Sequence, residues 1–376
     1  MNRRTLFSSG VAATALVFVL AGCSSPAAPD AGAEGAADPA TATSAADLGG
    51  MDALVAAAQE EGQLNLIARP DSWANYGKII EGFEEKYDIV VNSASPDVSS
   101  AEEIQAAENL KGQDTAPDVF DLGTAVALDS TDHFAPYQVE TWADIPAENK
   151  EASGLWVNNY TGIMSIGVDT AKFTAPKTLD DLLKDEYRGA VAINGDPTQA
   201  GAAFAAVGLI SAQNGGSVAD FGPGVDFVQK LNQAGNFLTV DPTPATIASG
   251  ETPVVFDWSF NNIAEQANKS TWETVVLDGP SYVSFYNEAI NKDAPNPAAA
   301  RLWQEWILSD EVQNLYLEAN AMPVRLAAMQ DAGSADEKLV AAAGLGSDPA
   351  SWVTADAKQT AAANTLLAER WPAAIK

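Results

Sequence analysis

The strongest constraint on this chain is its rhythm, in which short apolar strands alternate from Met51 onward with helices that are apolar on one side. Residues 51–61 read as a helix stopped by Gly62, and residues 64–68 as a strand. From Trp73 to Lys86, Tyr76, Ile79, Ile80 and Phe83 recur at helical spacing. Residues 89–91 form a second strand, 101–110 a helix, and 119–122 a third strand ahead of Gly123. Strand, helix, strand in this order predicts a parallel sheet covered by helices, since each helix must bury its stripe on the sheet. Sheets of this kind bind ligands in the crevice at the carboxyl ends of their strands. That rule singles out the loops 69–75, 92–100 and 123–127, with Arg69, Asp71, Trp73, Ser95 and Thr124 among their polar and aromatic residues.

The middle of the chain continues the pattern. Residues 156–168 look like one or two strands, and Thr178-Leu179-Asp180-Asp181 is a capping-box-like helix start. Val191 to Ile193 is a strand, followed by Asn194-Gly195-Asp196-Pro197-Thr198 and a small-residue helix through Ile210. Val254 to Phe256 is another strand, and residues 275–277 and 282–290 are extended. Leu302, Trp303, Trp306 and Ile307 share one helical face, and Ser309 caps the next helix.

The N-terminus reads as an export signal. Arg3 and Arg4 precede ten mostly apolar residues, too few to span a bilayer permanently. Leu20-Ala21-Gly22-Cys23 resembles the lipobox of bacterial lipoproteins, and Cys23 is the only cysteine. The resemblance implies cleavage before Cys23, lipidation of its thiol, and a mature protein tethered to the outer face of the cytoplasmic membrane. Residues 24–48 are nearly all Ser, Pro, Ala, Gly, Thr and Asp, with no large apolar side chain before Leu48. Such composition predicts a flexible tether over 23–49, with residues 1–22 as the signal.

Composition excludes several classes of function. Removing residues 1–22 takes away two arginines and no acid, so the net charge of −31 becomes −33. A surface that acidic repels nucleic acid and anionic headgroups. With one cysteine and one histidine, His133, the chain cannot build a disulfide framework, a thiolate cluster or a multi-histidine metal centre. No Gly-x-Ser-x-Gly elbow or His-Glu-x-x-His motif occurs, which argues against a secreted hydrolase. No cofactor is implied.

Ordered signposts then point to a family. Pro117-Asp118-Val119-Phe120-Asp121, the 176–183 segment Pro-Lys-Thr-Leu-Asp-Asp-Leu-Leu, and Tyr187-Arg188-Gly189 appear in sequence. Ala289-Ile290, then Lys292-Asp293-Ala294-Pro295-Asn296-Pro297, the Trp303 helix, Ser309-Asp310-Glu311 and Met322-Pro323-Val324-Arg325 follow. This order resembles the extracellular solute-binding proteins of ABC importers, in the branch that includes ferric-iron, thiamine, polyamine and aminoethylphosphonate receptors. The resemblance implies a type II periplasmic-binding-protein fold, in which two α/β lobes joined by two crossing strands close on a solute. The crossings map near 162–168 and 278–286, giving lobe one as 50–165 plus 278–376 and lobe two as 166–277. It also implies a monomer that delivers a small solute to a membrane permease and its ATPase.

For the ligand, ferric-binding relatives carry adjacent tyrosines just after a Gly-Glu-x-Pro strand. Here Gly250-Glu251-Thr252-Pro253 is followed by Asp257-Trp258-Ser259, and no tyrosine pair exists in the chain. Ferric iron therefore lacks its usual phenolates, although a ferric chelate stays open as an alternative. Asp257 with Trp258, and Asp71 with Trp73, can hold an ammonium by charge and cation–π attraction, with Tyr286 and Asn287 beside them. Arg69, the backbone amides of 195–198 with Asp196 and Thr198, and Ser93, Ser95, Ser99 and Ser100 can instead hold a phosphonate or carboxylate. Together they describe a zwitterion or a diamine. The balance leans to an amine-bearing solute, polyamine or aminophosphonate.

Overall fold

The computed structural model describes residues 37–342 and 349–376. The expected signal and Cys23 lie outside them. In chain order, α1 (Met51–Glu61) leads to β1 (Gln63–Ile67), α2 (Tyr76–Tyr87), β2 (Val90–Ala94), α3 (Ser100–Asn109) and β3 (Val119–Gly123). Next come α4 (Thr124–Asp129), β4 (Phe134–Ala135), the long β5 (Val157–Asp169), β6 (Val191–Ile193), α5 (Gly201–Gln213) and α6 (Gly222–Ala234). Then follow α7 (Pro244–Ser249), β7 (Val254–Trp258), α8 (Ser259–Asn268), β8 (Trp272–Val275) and the long β9 (Ser281–Asn291). The chain closes with α9 (Pro297–Ile307), α10 (Asp310–Glu318), β10 (Met322–Pro323), α11 (Leu326–Ala332), α12 (Glu337–Ala342), β11 (Trp352–Val353) and α13 (Ala357–Ala374).

Two long strands organise the sheet. The first half of β5 pairs with β9 and β10, whereas Met164 to Asp169 pair with β7 and β8. In β9, Ser281 and Tyr282 pair with β11, and Tyr286 to Asn291 pair with β3 and β4. The sheet thus has one region around β3 and β9 and another around β6 and β7, with β5 passing between them. β1 and β2 form a separate parallel pair. Asn65 fastens that pair to β3, its backbone N–H donating to Asp118 Oδ2 at 2.7 Å while its carbonyl accepts from the Asp118 N–H at 2.9 Å.

Local capping explains the element boundaries. Ser99 and Glu102 form a capping box at the start of α3, and Thr178 with Asp181 does the same for the 3-10 turn Leu179–Leu183. The helix expected from Trp73 begins only at Tyr76, because Ala74 (φ 46°) and Asn75 (φ 70°) adopt left-handed backbone. Trp303 and Trp306 are buried on the inner face of α9.

Residues 37–48, expected to belong to a flexible tether over 23–49, are instead ordered against the body, with Ala42, Ala45 and Leu48 buried and a 3-10 turn at Ala45–Leu48 capped by Ser44 and Asp47. Arg301 holds this segment, donating through Nε to the Ala42 carbonyl at 2.8 Å and through Nη2 to that of Ala40 at 3.1 Å. Gln138 N–H donates to the Thr43 carbonyl at 2.8 Å. Backbone acceptors and alanine methyls do the docking here, so the absence of large apolar side chains misleads.

At the other end, α13 buries Leu367 and Trp371. Its Asn364 donates to Asp129 Oδ2 at the end of α4 at 3.0 Å, and its Arg370 pairs with Asp226 on α6. Among the described residues, no helix is long and apolar enough to cross a membrane.

Candidate functional site

A cleft of about 310 Å³ opens where the loop after β1, the N-terminal end of α3, the segment after β6 and the junction of β7 with α8 converge. Its apolar wall is aromatic. Trp73 stands edge-on to Tyr286 and Phe260, with ring centroids 5.8 and 5.6 Å away. Its indole Nε1 donates to Tyr160 Oη at 2.7 Å. Tyr286 takes a hydrogen bond from Trp258 Nε1 at 3.0 Å. These indole–phenol bonds join Trp73 to Tyr160 and Trp258 to Tyr286.

The polar lining is acidic. Asp97, Glu102, Glu103 and Asp121 come from the first part of the chain, and Asp196, Asp241, Asp257 and Glu265 from the middle. None of the described lining residues is Lys, Arg or His. Asp257 is almost sealed, and its Oδ2 accepts from Asn194 Nδ2 at 2.9 Å and Asn261 Nδ2 at 3.1 Å, while Oδ1 accepts from the Trp258 N–H at 2.7 Å. All three donors are neutral. Burial pushes its pKa up to about 6, against the downward pull of those donors. Burial also raises Asp241, with Asp196 and Glu102 adding like charge, and raises Glu265. Glu103 is buried, accepts from the Asp121 N–H at 3.1 Å, and is pushed well up by desolvation despite Arg69 nearby. Asp121 is held by Tyr76 Oη at 2.8 Å, Tyr160 Oη at 2.9 Å and Asn159 Nδ2 at 3.1 Å.

Of the residues singled out from sequence, Trp73, Asp196, Asp257 and Tyr286 come together on the cleft. Arg69 does not. Its side chain is sealed from solvent in a two-pronged pair with Glu288, both bonds 2.8 Å, between the rings of Tyr76 and Trp303. Trp258 is core, 1% exposed, and reaches the site only through its bond to Tyr286. Asp71 and Ser95 are exposed and outside the lining. Thr124 donates to the Phe285 carbonyl at 3.1 Å and accepts from Asn287.

Thr198 is likewise off the lining, and its own amide in the expected anion nest is already taken. Asp196 Oδ1 accepts from the Thr198 N–H at 2.8 Å and hydroxyl at 2.6 Å, and its carbonyl takes the N–H groups of Gln199 and Ala200. The first turn of α5 starts only at Gly201. Ser99 and Ser100 do line the cleft, but Ser99 caps α3 and Ser100 Oγ accepts from the Gly123 N–H at 3.0 Å.

Sequence reasoning missed Glu103, Asp121, Asn194, Asp241, Asn261 and Glu265. Isolated acids and amides carry no local pattern. The available signal was the rule about strand ends, which reaches Asp121 on β3 and Asn194 after β6. Among the described residues, no group of three or more His, Cys, Asp or Glu is arranged to hold a metal ion.

Comparison with known proteins bears on the fold and the family. Among solved structures, the periplasmic binding protein P5PA is 18% identical, with 84% of this chain and 100% of that one covered and a TM-score of 0.67. The periplasmic binding protein AfuA from Actinobacillus pleuropneumoniae, with exogenous fructose-6-phosphate bound, is 18% identical over 84% and 98%, at 0.66. A putative spermidine/putrescine ABC transporter protein from Listeria monocytogenes is 15% identical over 82% and 99%, at 0.62. At these identities the likeness establishes the two-lobed fold. No curated protein matches the chain by sequence. Residues 117–344, more than half of the chain, match the family described as bacterial extracellular solute-binding protein. The chain therefore belongs to the bacterial extracellular solute-binding proteins, a family of transport proteins and not of enzymes.

Proposed function

We propose that this protein captures a small organic cation bearing one or more amines, of the polyamine class, and hands it to its permease. The observation that carries this reading is the cleft lining, with eight carboxylates, an aromatic wall and no basic side chain among the described residues. An ammonium entering it exchanges water for charge pairing with Asp257 and contact with the Trp73 face, together worth ~2 kcal/mol or more once desolvated. An aminophosphonate fits less well, since Arg69 is internally paired and the Thr198 amide is already bonded to Asp196. A ferric ion lacks the adjacent phenolates.

The same reading includes an anchor and a hinge. Cys23 carries lipid and joins the body to the membrane. Lobe one comprises 37–165 with 278–376, lobe two 166–277, and β5 and β9 cross between them. The protein works as a monomer.

A thermal-shift screen of residues 24–376 against putrescine, spermidine, 2-aminoethylphosphonate, thiamine and ferric citrate tests the ligand class. A binder at 100 times its Kd adds ~2.7 kcal/mol of stability. Asp257→Asn keeps the size of the group and removes its charge. It should weaken amine binding by ~2–5 kcal/mol. Equal binding by Asp257→Asn and wild type, with an unchanged melting temperature, removes Asp257 from the amine site.

A further inference from the structure

We propose that Tyr160 is the positioning residue that fixes the Trp73 indole as a wall of the cleft, setting amine affinity without touching the amine. The inference rests on the cleft being the amine site, but its evidence is separate. Tyr160 is fully buried and does not line the cleft. Its hydroxyl lies between two groups that demand opposite things, with Asp121 Oδ2 at 2.9 Å and Trp73 Nε1 at 2.7 Å. An indole N–H can only donate and a carboxylate can only accept. A phenol serves both, giving its proton to Asp121 and a lone pair to Trp73.

The fold holds this phenol in place. The β5–β9 register shifts between Asn158 and Thr161, a bulge that falls on Asn159 and Tyr160. Bulges re-aim side chains beside functional sites. Here both bulged residues reach Asp121, Asn159 through Nδ2 at 3.1 Å and Tyr160 through its hydroxyl. The Tyr160 ring is stacked between Tyr316 at 4.6 Å and Tyr286 at 5.3 Å, so its hydroxyl has little freedom to move. Trp73 sits on a loop with two left-handed residues after it, and its ring takes its orientation from Tyr160.

Tyr160→Phe in residues 24–376 tests the proposal, with spermidine as the probe and isothermal titration as the readout. Losing the acceptor should weaken spermidine binding roughly five- to ten-fold, as expected when a partly buried donor is orphaned. In a Trp73→Ala background the same change should have almost no further effect, since the two act as one unit. Fluorine NMR of protein carrying 5-fluorotryptophan, with the Trp73 signal assigned from Trp73→Phe, reads the indole without any solute. Tyr160→Phe should broaden or split that signal and leave the other tryptophans in place. An unchanged Trp73 signal, or losses that simply add in the double variant, overturns the positioning role. If spermidine binds none of these proteins, the amine reading fails instead, and the solute-free fluorine spectrum decides the role of Tyr160 alone.

Discussion

Arg69 and Glu288 lie 219 residues apart in sequence and meet through two hydrogen bonds of 2.8 Å, both side chains sealed from water. The pair ties the end of β1 to the middle of β9. Trp303 Nε1 also donates to Glu288, at 3.0 Å, which satisfies the carboxylate further.

Removing one partner leaves the other charge buried alone. Arg69→Ala or Glu288→Gln should destabilise the fold by ~3–5 kcal/mol, read as a fall in the urea midpoint. A change near zero means that the pair is dispensable, and Arg69 would then be free to serve a solute.

Stability should decline as pH rises from 5 to 8. Burial lifts Asp118 and Glu305 to about 7 and Asp257 to about 6, above their ordinary values of 3.8, 4.5 and 3.8. Above pH ~4.5 the unfolded chain has released these protons while the folded protein still holds them, so their contribution is lost as pH climbs through 6 to 7. Carboxylates lowered by hydrogen bonds, such as Asp169 and Asp310, act only at lower pH. Urea midpoints across pH 5–8 check this, and Asp257→Asn should flatten the slope near pH 6.

Amine binding should strengthen over the same range. An ammonium pairs with ionised Asp257, so capture of spermidine at pH 5.5 must expel a proton, whereas capture at pH 8 need not. Calorimetry in two buffers of different ionisation enthalpy measures that proton directly. No difference between the pH values would place the amine away from Asp257.

Gly123 and Gly201 touch backbone to backbone beneath the cleft. A Cβ on Gly123 would lie 2.6 Å from Gly201 Cα, and one on Gly201 would lie 2.8 Å from Gly123 Cα. Gly123 has φ −59°, so alanine there incurs a clash and no backbone strain. Gly123→Ala and Gly201→Ala should each cost ~1–3 kcal/mol of stability by overpacking and should impair spermidine binding. A well-bound, fully stable Gly201→Ala protein would mean that the contact yields freely.

The elements were largely readable from pattern, because strands and helices are local and periodic. The expected parallel sheet was not, since β1 and β2 pair by themselves and β3 runs antiparallel to the distant β9. The strand at 119–122, the one at 191–193 and the one at 254–256 appear as β3, β6 and β7 within two residues. The site was less readable. Arg69 looked free because its partner is remote in the chain, and Trp258 looked like a reader because it adjoins Asp257. On a strand, neighbouring side chains point to opposite faces, so an acid in the cleft puts its neighbour in the core. Glu103 and Asp241 become site residues only when separate loops converge.

The grip of Arg301 on residues 40 and 42 has a consequence for where this receptor can go. If Cys23 carries the lipid as proposed, fourteen peptide steps separate it from Ala37, so the two could lie no more than ~50 Å apart. The docked segment would then moor the body at Ala37 and keep the solute site close to the bilayer. Such an anchor would confine the protein and its permease to the same membrane, raising the frequency of their encounters. A weak grip on the permease would then suffice for the hand-over, since both partners would move in one plane.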